Sequence, residues 1–201
     1  MHISEGVLSP AVLMGGAALA AAGVAAGMKH LDQKEIPAMG ILSAAFFVAS
    51  LIHVPVGPVS VHLILNGLMG LILGWKAFPV ILVGAALQAL LFQFGGITTL
   101  GVNTLNMALP AVICYYAFGW GLKPDTGRPA FLFAAFASGF GAVLIAGIMV
   151  AFSLYLTGEA FLPAGKLVVA AHLPVMLIEG LLTAACALFL KKVRPELLEG
   201  I

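Results

Sequence analysis

The amino-acid sequence predicts an all-α membrane protein, a bundle of seven transmembrane helices with its N-terminus outside and its C-terminus in the cytoplasm. Hydrophobic residues make up 62% of the 201 residues and charged residues only 8%, whereas a soluble domain carries about 25% charged residues. The apolar runs are continuous rather than alternating, which favours helices over the strands of a barrel. We therefore expect one transmembrane domain over residues 1–201 and no strands.

The apolar runs divide into seven segments at Pro, Gly and charged clusters. The predicted spans are 8–28, 38–54, 60–75, 78–94, 102–121, 130–156 and 167–190. The third and fourth spans are short and are separated only by residues 75–77, so they fit two tilted helices. The sixth span is long enough to extend beyond the membrane.

The distribution of basic residues predicts the orientation. Of the nine Lys and Arg residues, only Lys166 falls on one side of the alternating topology. The other basic residues are Lys29, Lys34, Lys76, Lys123, Arg128, Lys191, Lys192 and Arg194. Basic connections lie in the cytoplasm, so the C-terminal tail is cytoplasmic and seven spans place the N-terminus outside.

Four of the five histidines fall on the predicted outer side. His2 is next to the N-terminus, His53 ends the second span, His62 opens the third, and His172 lies near the start of the seventh. His30 lies in a cytoplasmic connection, where we interpret it as a solvated loop residue. A single histidine at a membrane interface is commonly a polar group that reaches water. Four on one side indicate metal or proton chemistry.

The first two residues form a potential chelate. A free α-amine, the deprotonated amide nitrogen of residue 2 and the His2 imidazole close adjacent five- and six-membered rings on one ion, and one further imidazole completes a square plane. All-nitrogen tetragonal coordination suits Ni(II) or Cu(II). We expect Met1 to be the mature N-terminus, because the bulky His2 disfavours removal of the initiator. The alternative, an unstructured chain end with an incidental histidine, stays open.

Other polar side chains are predicted near this site or inside the bundle. Asn103 and Asn106 are three residues apart and share a helix face. Glu179 lies inside a span, two helical turns after His172, and serves either a proton relay or a structural hydrogen bond. Glu5 either orients a metal ligand or is an acid at a helix start.

The chain lacks the sequence signatures of an ATPase or a hydrolase. It contains no nucleotide-binding loop, no Gly-x-Ser-x-Gly and no His-Glu-x-x-His motif. Active transport by this chain would therefore draw its energy from a partner or from an ion gradient.

Three motifs carry a resemblance to a known family. MHISEGVLSP (1–10), GVNTLNMALPA (101–111) and HLPVMLIEGLLTA (172–184) resemble segments of the CbiM/NikM family, the substrate-binding components of energy-coupling factor transporters for cobalt or nickel. The first motif is the most specific, and because the three are spread from residue 1 to residue 184, the resemblance extends over nearly the whole chain.

The resemblance implies a metal site and its ligands. In that family the N-terminus folds into the bundle, and the ion is held by the terminal amine, the second residue and a histidine at the start of a later helix. Carried over, these ligands are Met1, His2 and His62, and His62 is preferred over His53 as the fourth ligand. The residues predicted to support the site are Glu5, Ser60, Asn103, Asn106, His172 and Glu179.

The segment around His62 departs from the family pattern. The family shows Ser-x-Ser-His-Pro-Thr-Gly, whereas this chain has PVSVHLILNGLMG over 58–70. The histidine and the preceding serine, Ser60, are retained, but Leu63-Ile64-Leu65 replaces Pro-Thr-Gly. The substitution bears on the local backbone and on the choice of metal.

The resemblance also implies a function and partners. We expect a component of a prokaryotic plasma membrane that captures Ni(II) or Co(II) as transported substrate, with no organic cofactor. Its expected partners are a transmembrane coupling protein, cytoplasmic ATPase subunits and, in some systems, a small accessory membrane protein. Two alternatives from other classes stay open, a membrane metalloenzyme and a structural membrane subunit with incidental histidines.

Overall fold

The computed structural model describes residues 1–29, 31–51, 53–56, 59–123 and 125–198. The interpretation of His30 lies outside these residues. The main elements, in chain order, are α1 (Pro10–Lys29), α2 (Ile36–Ala49), β1 (His53–Val56), β2 (Val59–His62), α3 (Asn66–Leu73), α4 (Ala77–Phe92), α5 (Leu100–Phe118), α6 (Arg128–Thr157), α7 (Leu162–Ala171) and α8 (Leu173–Val193).

Long apolar helices dominate the structure, as expected for a multi-pass membrane protein. Within the described ranges, five stretches are long and apolar enough to cross a membrane. They are Pro10–Lys29, Asn66–Phe92, Leu100–Leu122, Arg128–Thr157 and Glu159–Val193. The shorter α2 packs against α4. The exact number of seven spans and the sidedness of the termini stay predictions.

A β-hairpin interrupts the helical bundle, so the expectation of no strands is wrong at 53–56 and 59–62. The two strands pair antiparallel, with His53 opposite His62. The predicted second span, 38–54, overran α2, which ends at Ala49, and the predicted third span began too early, because α3 starts at Asn66. Valines favour extended structure, but an apolar run of this length does not distinguish a strand from a helix.

Two helix breaks divide longer apolar stretches. Gly74, with φ of +53°, separates α3 from α4, next to the boundary that the sequence predicted at residues 75–77. His172 separates α7 from α8, with proline in the first turn of α8. The predicted seventh span, 167–190, therefore began inside α7, which starts at Leu162.

Glycines permit three helices to approach closely beside the hairpin. A Cβ atom on Gly67 of α3 would lie 2.5 Å from Cα of Gly139 of α6. A Cβ atom on Gly139 would lie 2.5 Å from the carbonyl oxygen of Glu179 and 2.5 Å from Oγ1 of Thr183, both on α8. Small residues of this kind allow close packing between membrane helices. These contacts place α3 and α8 against the same part of α6.

Candidate metal-binding site

The N-terminal segment, residues 1–3, is inserted into the bundle. Met1 and Ile3 are fully buried and His2 is 2% exposed. The Ile3 N–H donates to Oδ1 of Asn103 at 2.9 Å, and Nδ2 of Asn103 donates to the Ile3 carbonyl at 3.1 Å. The N–H of Ser60, in β2, donates to the His2 carbonyl at 3.3 Å. The segment is thus held between α5 and the hairpin.

The nitrogens of Met1, His2 and His62 converge in this buried space. Nε2 of His62 is in close contact with the Met1 α-amine. The same Nε2 atom lies 2.8 Å from Nδ1 of His2. The two imidazole rings stack with their centroids 4.7 Å apart and their planes 24° apart. One atom of His62 therefore meets both ends of the potential N-terminal chelate.

The hydrogen bond on the other side of the His62 ring determines which nitrogen is free. Nδ1 of His62 lies 2.7 Å from the Leu63 carbonyl oxygen, and only a protonated Nδ1 can form this bond. The lone pair is then on Nε2, which is directed toward the N-terminus. An imidazole whose far nitrogen donates to an acceptor in this way is a typical metal ligand.

The surroundings favour the uncharged forms of the three groups. Burial lowers the pKa values of the Met1 α-amine, the His2 imidazole and the His62 imidazole well below their ordinary values. A positive charge on the nearby amine lowers the pKa values of both histidines further. A hydrogen bond with the Gln88 side chain raises the pKa of His2. Glu179 opposes the lowering of the amine pKa, but burial is the larger cause. Uncharged nitrogens are the forms that bind a metal ion.

One separation between two of these nitrogens matches a planar arrangement around one ion. Two nitrogens at right angles, each about 2.0–2.1 Å from a metal ion, lie about 2.8–3.0 Å apart. The separation of 2.8 Å between His62 Nε2 and His2 Nδ1 has this value. In a square plane that also had the Met1 amine beside His62 Nε2, the position opposite His62 would belong to the His2 amide nitrogen.

Side chains alone do not complete a metal site. Among the residues that the structure describes, no three His, Cys, Asp or Glu side chains come together as a ligand cluster. The two imidazoles of His2 and His62 would need main-chain nitrogens to reach four ligands. The amine of Met1 and the amide of His2 are the main-chain groups that the N-terminal segment offers.

His53 has different neighbours from His62, although the two residues are opposite each other in the hairpin. Its Nδ1 atom lies 3.2 Å from the Leu51 carbonyl oxygen. Its ring packs edge-on against Phe94, with 4.1 Å between centroids. The structure therefore brings His62, rather than His53, to the N-terminal nitrogens.

Two further candidates connect structural elements away from the converging nitrogens. Oε1 of Glu5 accepts a hydrogen bond from the Thr98 N–H at 3.3 Å on the exposed side of the N-terminal segment. Asn106 shares a helix with Asn103 but donates to Oγ of Ser153 at 3.2 Å. Asn106 thus joins α5 to α6, whereas Asn103 binds the N-terminal segment.

The two candidates on the last apolar stretch have separate partners. His172 is fully buried, and its Nδ1 atom lies 2.7 Å from the Val168 carbonyl oxygen. Oε1 of Glu179 accepts hydrogen bonds from the N–H groups of Ile64 and Leu65, the latter at 2.8 Å. Of the two roles considered for Glu179, the structure shows a hydrogen bond, and its partner is the segment between β2 and α3.

Two residues near the site were not among the predicted site residues. Gln88 is fully buried in α4 beside His2 and donates to Oγ of Ser50. A glutamine within an apolar span stands out in the sequence, because an unpaired amide is costly there. Gly95 has φ of +79°, and a Cβ atom on it would lie 2.6 Å from Nδ2 of Asn103 and 3.4 Å from Cβ of His2.

The fold and this site define a class of protein, a multi-pass helical membrane protein with buried nitrogen atoms gathered around its N-terminus. The chain belongs to the CbiM family, since the family model described as "Cobalt uptake substrate-specific transmembrane region" matches residues 2–197. Membership identifies it as a membrane component of cobalt or nickel transport of the CbiM/NikM type rather than an enzyme. The metalloenzyme alternative is therefore not supported.

Individual relatives agree with this assignment. A Haemophilus influenzae protein named for metal transport is 42% identical over 199 residues, which are 98% of this chain and 97% of the relative. The fused nickel transport protein NikMN of Rhodobacter capsulatus is 34% identical over 115 residues, 54% of this chain and 33% of its own length. The crystal structure of a transition metal transporter superposes with a TM-score of 0.80 at 27% identity, covering 96% of this chain and 93% of that one.

Proposed function

We propose that this chain is the substrate-capture component of an ATP-driven uptake transporter and that it binds Ni(II) or Co(II) through four nitrogens. The ligands are the Met1 amine, the amide nitrogen and imidazole of His2, and Nε2 of His62. The observation that carries the proposal is the position of His62 Nε2, which contacts the Met1 amine and lies 2.8 Å from His2 Nδ1.

The chemistry of the ligands suits these two ions. Four nitrogens in a tetragonal arrangement suit Ni(II), and the Irving–Williams order places nickel slightly above cobalt. Coordination by the His2 amide requires loss of its proton, so binding releases a proton and strengthens as the pH rises. The buried imidazoles and amine already favour their uncharged forms, so the amide proton is the main one to be displaced at neutral pH.

The energy for uptake comes from partner subunits. We propose that the chain, as one transmembrane domain with its N-terminus facing outward, works with a transmembrane coupling protein and cytoplasmic ATPase subunits. A small accessory membrane protein joins them in some systems. The fused NikMN relative supports cooperation with at least one further transport component.

The test alters the spacing between the amine and the imidazole. An alanine inserted between Met1 and His2 breaks the fused chelate rings, so we expect Ni(II) affinity of the purified protein to fall by at least about 100-fold, measured by calorimetric titration. A matched control carries an alanine inserted between Asp125 and Thr126, in the connection before α6. High-affinity binding that survives the N-terminal insertion would reject the proposed ligand set.

A further inference from the structure

We propose that Glu179 is a positioning residue for the metal site, which holds the main chain of residues 63–65 so that Nε2 of His62 faces the N-terminal nitrogens. This inference rests on the proposed function, because it assigns a role in the same site. Glu179 is not one of the proposed ligands. It belongs to α8 and acts on the site through a peptide group rather than by binding the ion.

A single peptide group connects the carboxylate to the imidazole. Oε1 of Glu179 accepts the hydrogen bond of the Ile64 N–H. The carbonyl of Leu63 belongs to the same peptide group, and it accepts the hydrogen bond of His62 Nδ1 at 2.7 Å. The N–H and C=O of a trans peptide point in opposite directions in one plane. Glu179 therefore holds one edge of a rigid plane whose other edge orients the His62 ring.

The second hydrogen bond of the carboxylate stabilises an unfavourable backbone conformation. Oε1 of Glu179 also accepts from the Leu65 N–H at 2.8 Å. Leu65 has φ of +56°, a left-handed conformation that residues with a Cβ atom rarely adopt. Such a conformation persists only where the surroundings determine it. Without an acceptor at Glu179, the 63–65 segment would relax and the Leu63 carbonyl would turn away from His62.

The position of the carboxylate is itself well defined. Glu179 is fully buried, and its main chain lies against Gly139 of α6, where an added Cβ atom would be 2.5 Å from the Glu179 carbonyl oxygen. Among the described residues, Oε2 has no hydrogen-bond partner, so the hydrogen bonds of the side chain all go to residues 64 and 65. Outer partners of this kind orient metal-binding histidines. Displacement of α8 relative to α3 would therefore alter the ligand set without touching the ion.

The test separates the reach of the side chain from its charge. E179Q keeps an oxygen at the same distance from the two N–H groups but removes the charge. E179D keeps the charge but is one methylene shorter. Ni(II) affinity is measured by titration of the purified full-length protein, together with the d–d absorption of bound Ni(II). Metal-free melting of each variant, with Thr183→Val as the control one helical turn away, measures any general loss of stability.

We expect E179Q to bind Ni(II) much like the wild type and E179D to bind about 10–100-fold more weakly, with a shifted absorption band. E179D with wild-type affinity and spectrum would overturn the inference, and so would an E179Q variant as weak as E179D. His62→Ala in the same series separates the two proposals. If the wild type binds Ni(II), His62→Ala does not and E179D is unchanged, the proposed function stands and the role of Glu179 is rejected. A wild type that binds no Ni(II) would reject both.

Discussion

The side chain of Asn103 pairs with the main chain of Ile3 in both directions. Oδ1 accepts the Ile3 N–H at 2.9 Å and Nδ2 donates to the Ile3 carbonyl at 3.1 Å. An amide side chain thus takes the place that a neighbouring strand would occupy. In the buried interior both main-chain groups would otherwise lack partners, at a cost of about 1–3 kcal/mol each. The N-terminal segment is therefore anchored to α5, directly after the two residues that we propose as metal ligands.

Removal of this anchor should weaken metal binding. We expect Asn103→Ala to lower Ni(II) affinity by about 10-fold or more, because an orienting partner of the ligands is lost, measured by titration of the purified protein. Asn106→Ala is the matched control. Asn106 lies three residues further on and bonds Ser153, so its loss should lower the melting temperature but leave the affinity intact. Equal affinity losses in the two variants would contradict the role of Asn103.

Replacement of each of the two hairpin histidines by alanine should change Ni(II) affinity to a different extent. His62→Ala removes the nitrogen that contacts Met1 and His2, and we expect at least about 100-fold weaker Ni(II) binding. His53→Ala removes a ring that packs on Phe94, and we expect affinity within about threefold of the wild type. Radiolabelled nickel retained on the immobilised protein measures both. A larger loss with His53→Ala would show that the fourth ligand was assigned wrongly.

The close packing of α6 against α8 predicts a glycine requirement. Gly139→Ala places a methyl group 2.5 Å from main-chain oxygen of Glu179, and such overpacking costs about 1–3 kcal/mol. Gly40→Ala, in α2, is the control because an added Cβ atom there meets nothing within 4 Å, and alanine should stabilise that helix by about 0.5–1 kcal/mol. Unfolding in detergent by a denaturant measures both. A stable Gly139→Ala variant would argue against the described contact.

The backbone conformation of Leu65 predicts that glycine at this position gives a more stable protein than alanine, the reverse of the usual order. Both Leu65→Gly and Leu65→Ala remove the side chain, but only glycine adopts φ of +56° without steric cost. We expect the glycine variant to be more stable by about 0.5–1 kcal/mol, the left-handed penalty less the entropy that glycine loses. The pattern of the CbiM/NikM family, Ser-x-Ser-His-Pro-Thr-Gly, has glycine at the position of Leu65. A more stable alanine variant, in the same unfolding measurement, would show an ordinary backbone conformation at residue 65.

The sequence was sufficient for the class and family of the protein, because composition and a motif such as MHISEG depend on the residues alone. It also proposed that Met1, His2 and His62 meet, and the structure brings these three together. The hairpin was not predictable, since valine-rich strands at 53–56 and 59–62 are as apolar as a span. The main chain of β2 lies next to the N-terminal segment, with the Ser60 N–H donating to the His2 carbonyl, and His62 follows two residues later.

The partners that buried polar side chains find in distant parts of the chain also could not be predicted from the sequence. Asn103 and Asn106 are the same residue type on one predicted face, yet Asn103 binds Ile3 and Asn106 binds Ser153. Periodicity describes which face of a helix a residue lies on, but it does not say which segment lies opposite. For Glu179 the sequence predicted a buried carboxylate, and only the fold shows that residues 64 and 65 are its partners.

The partners of the N-terminal segment are distributed along the whole chain, and this has a consequence for biosynthesis. Residues 1–3 contact His62 and Asn103, and the segment after His62 is held by Glu179. The final position of residues 1–3 therefore depends on elements that follow them in the chain. If the proposed ligand set and the proposed role of Glu179 are correct, full Ni(II) affinity requires that the last helix, which carries Glu179, has been inserted into the membrane.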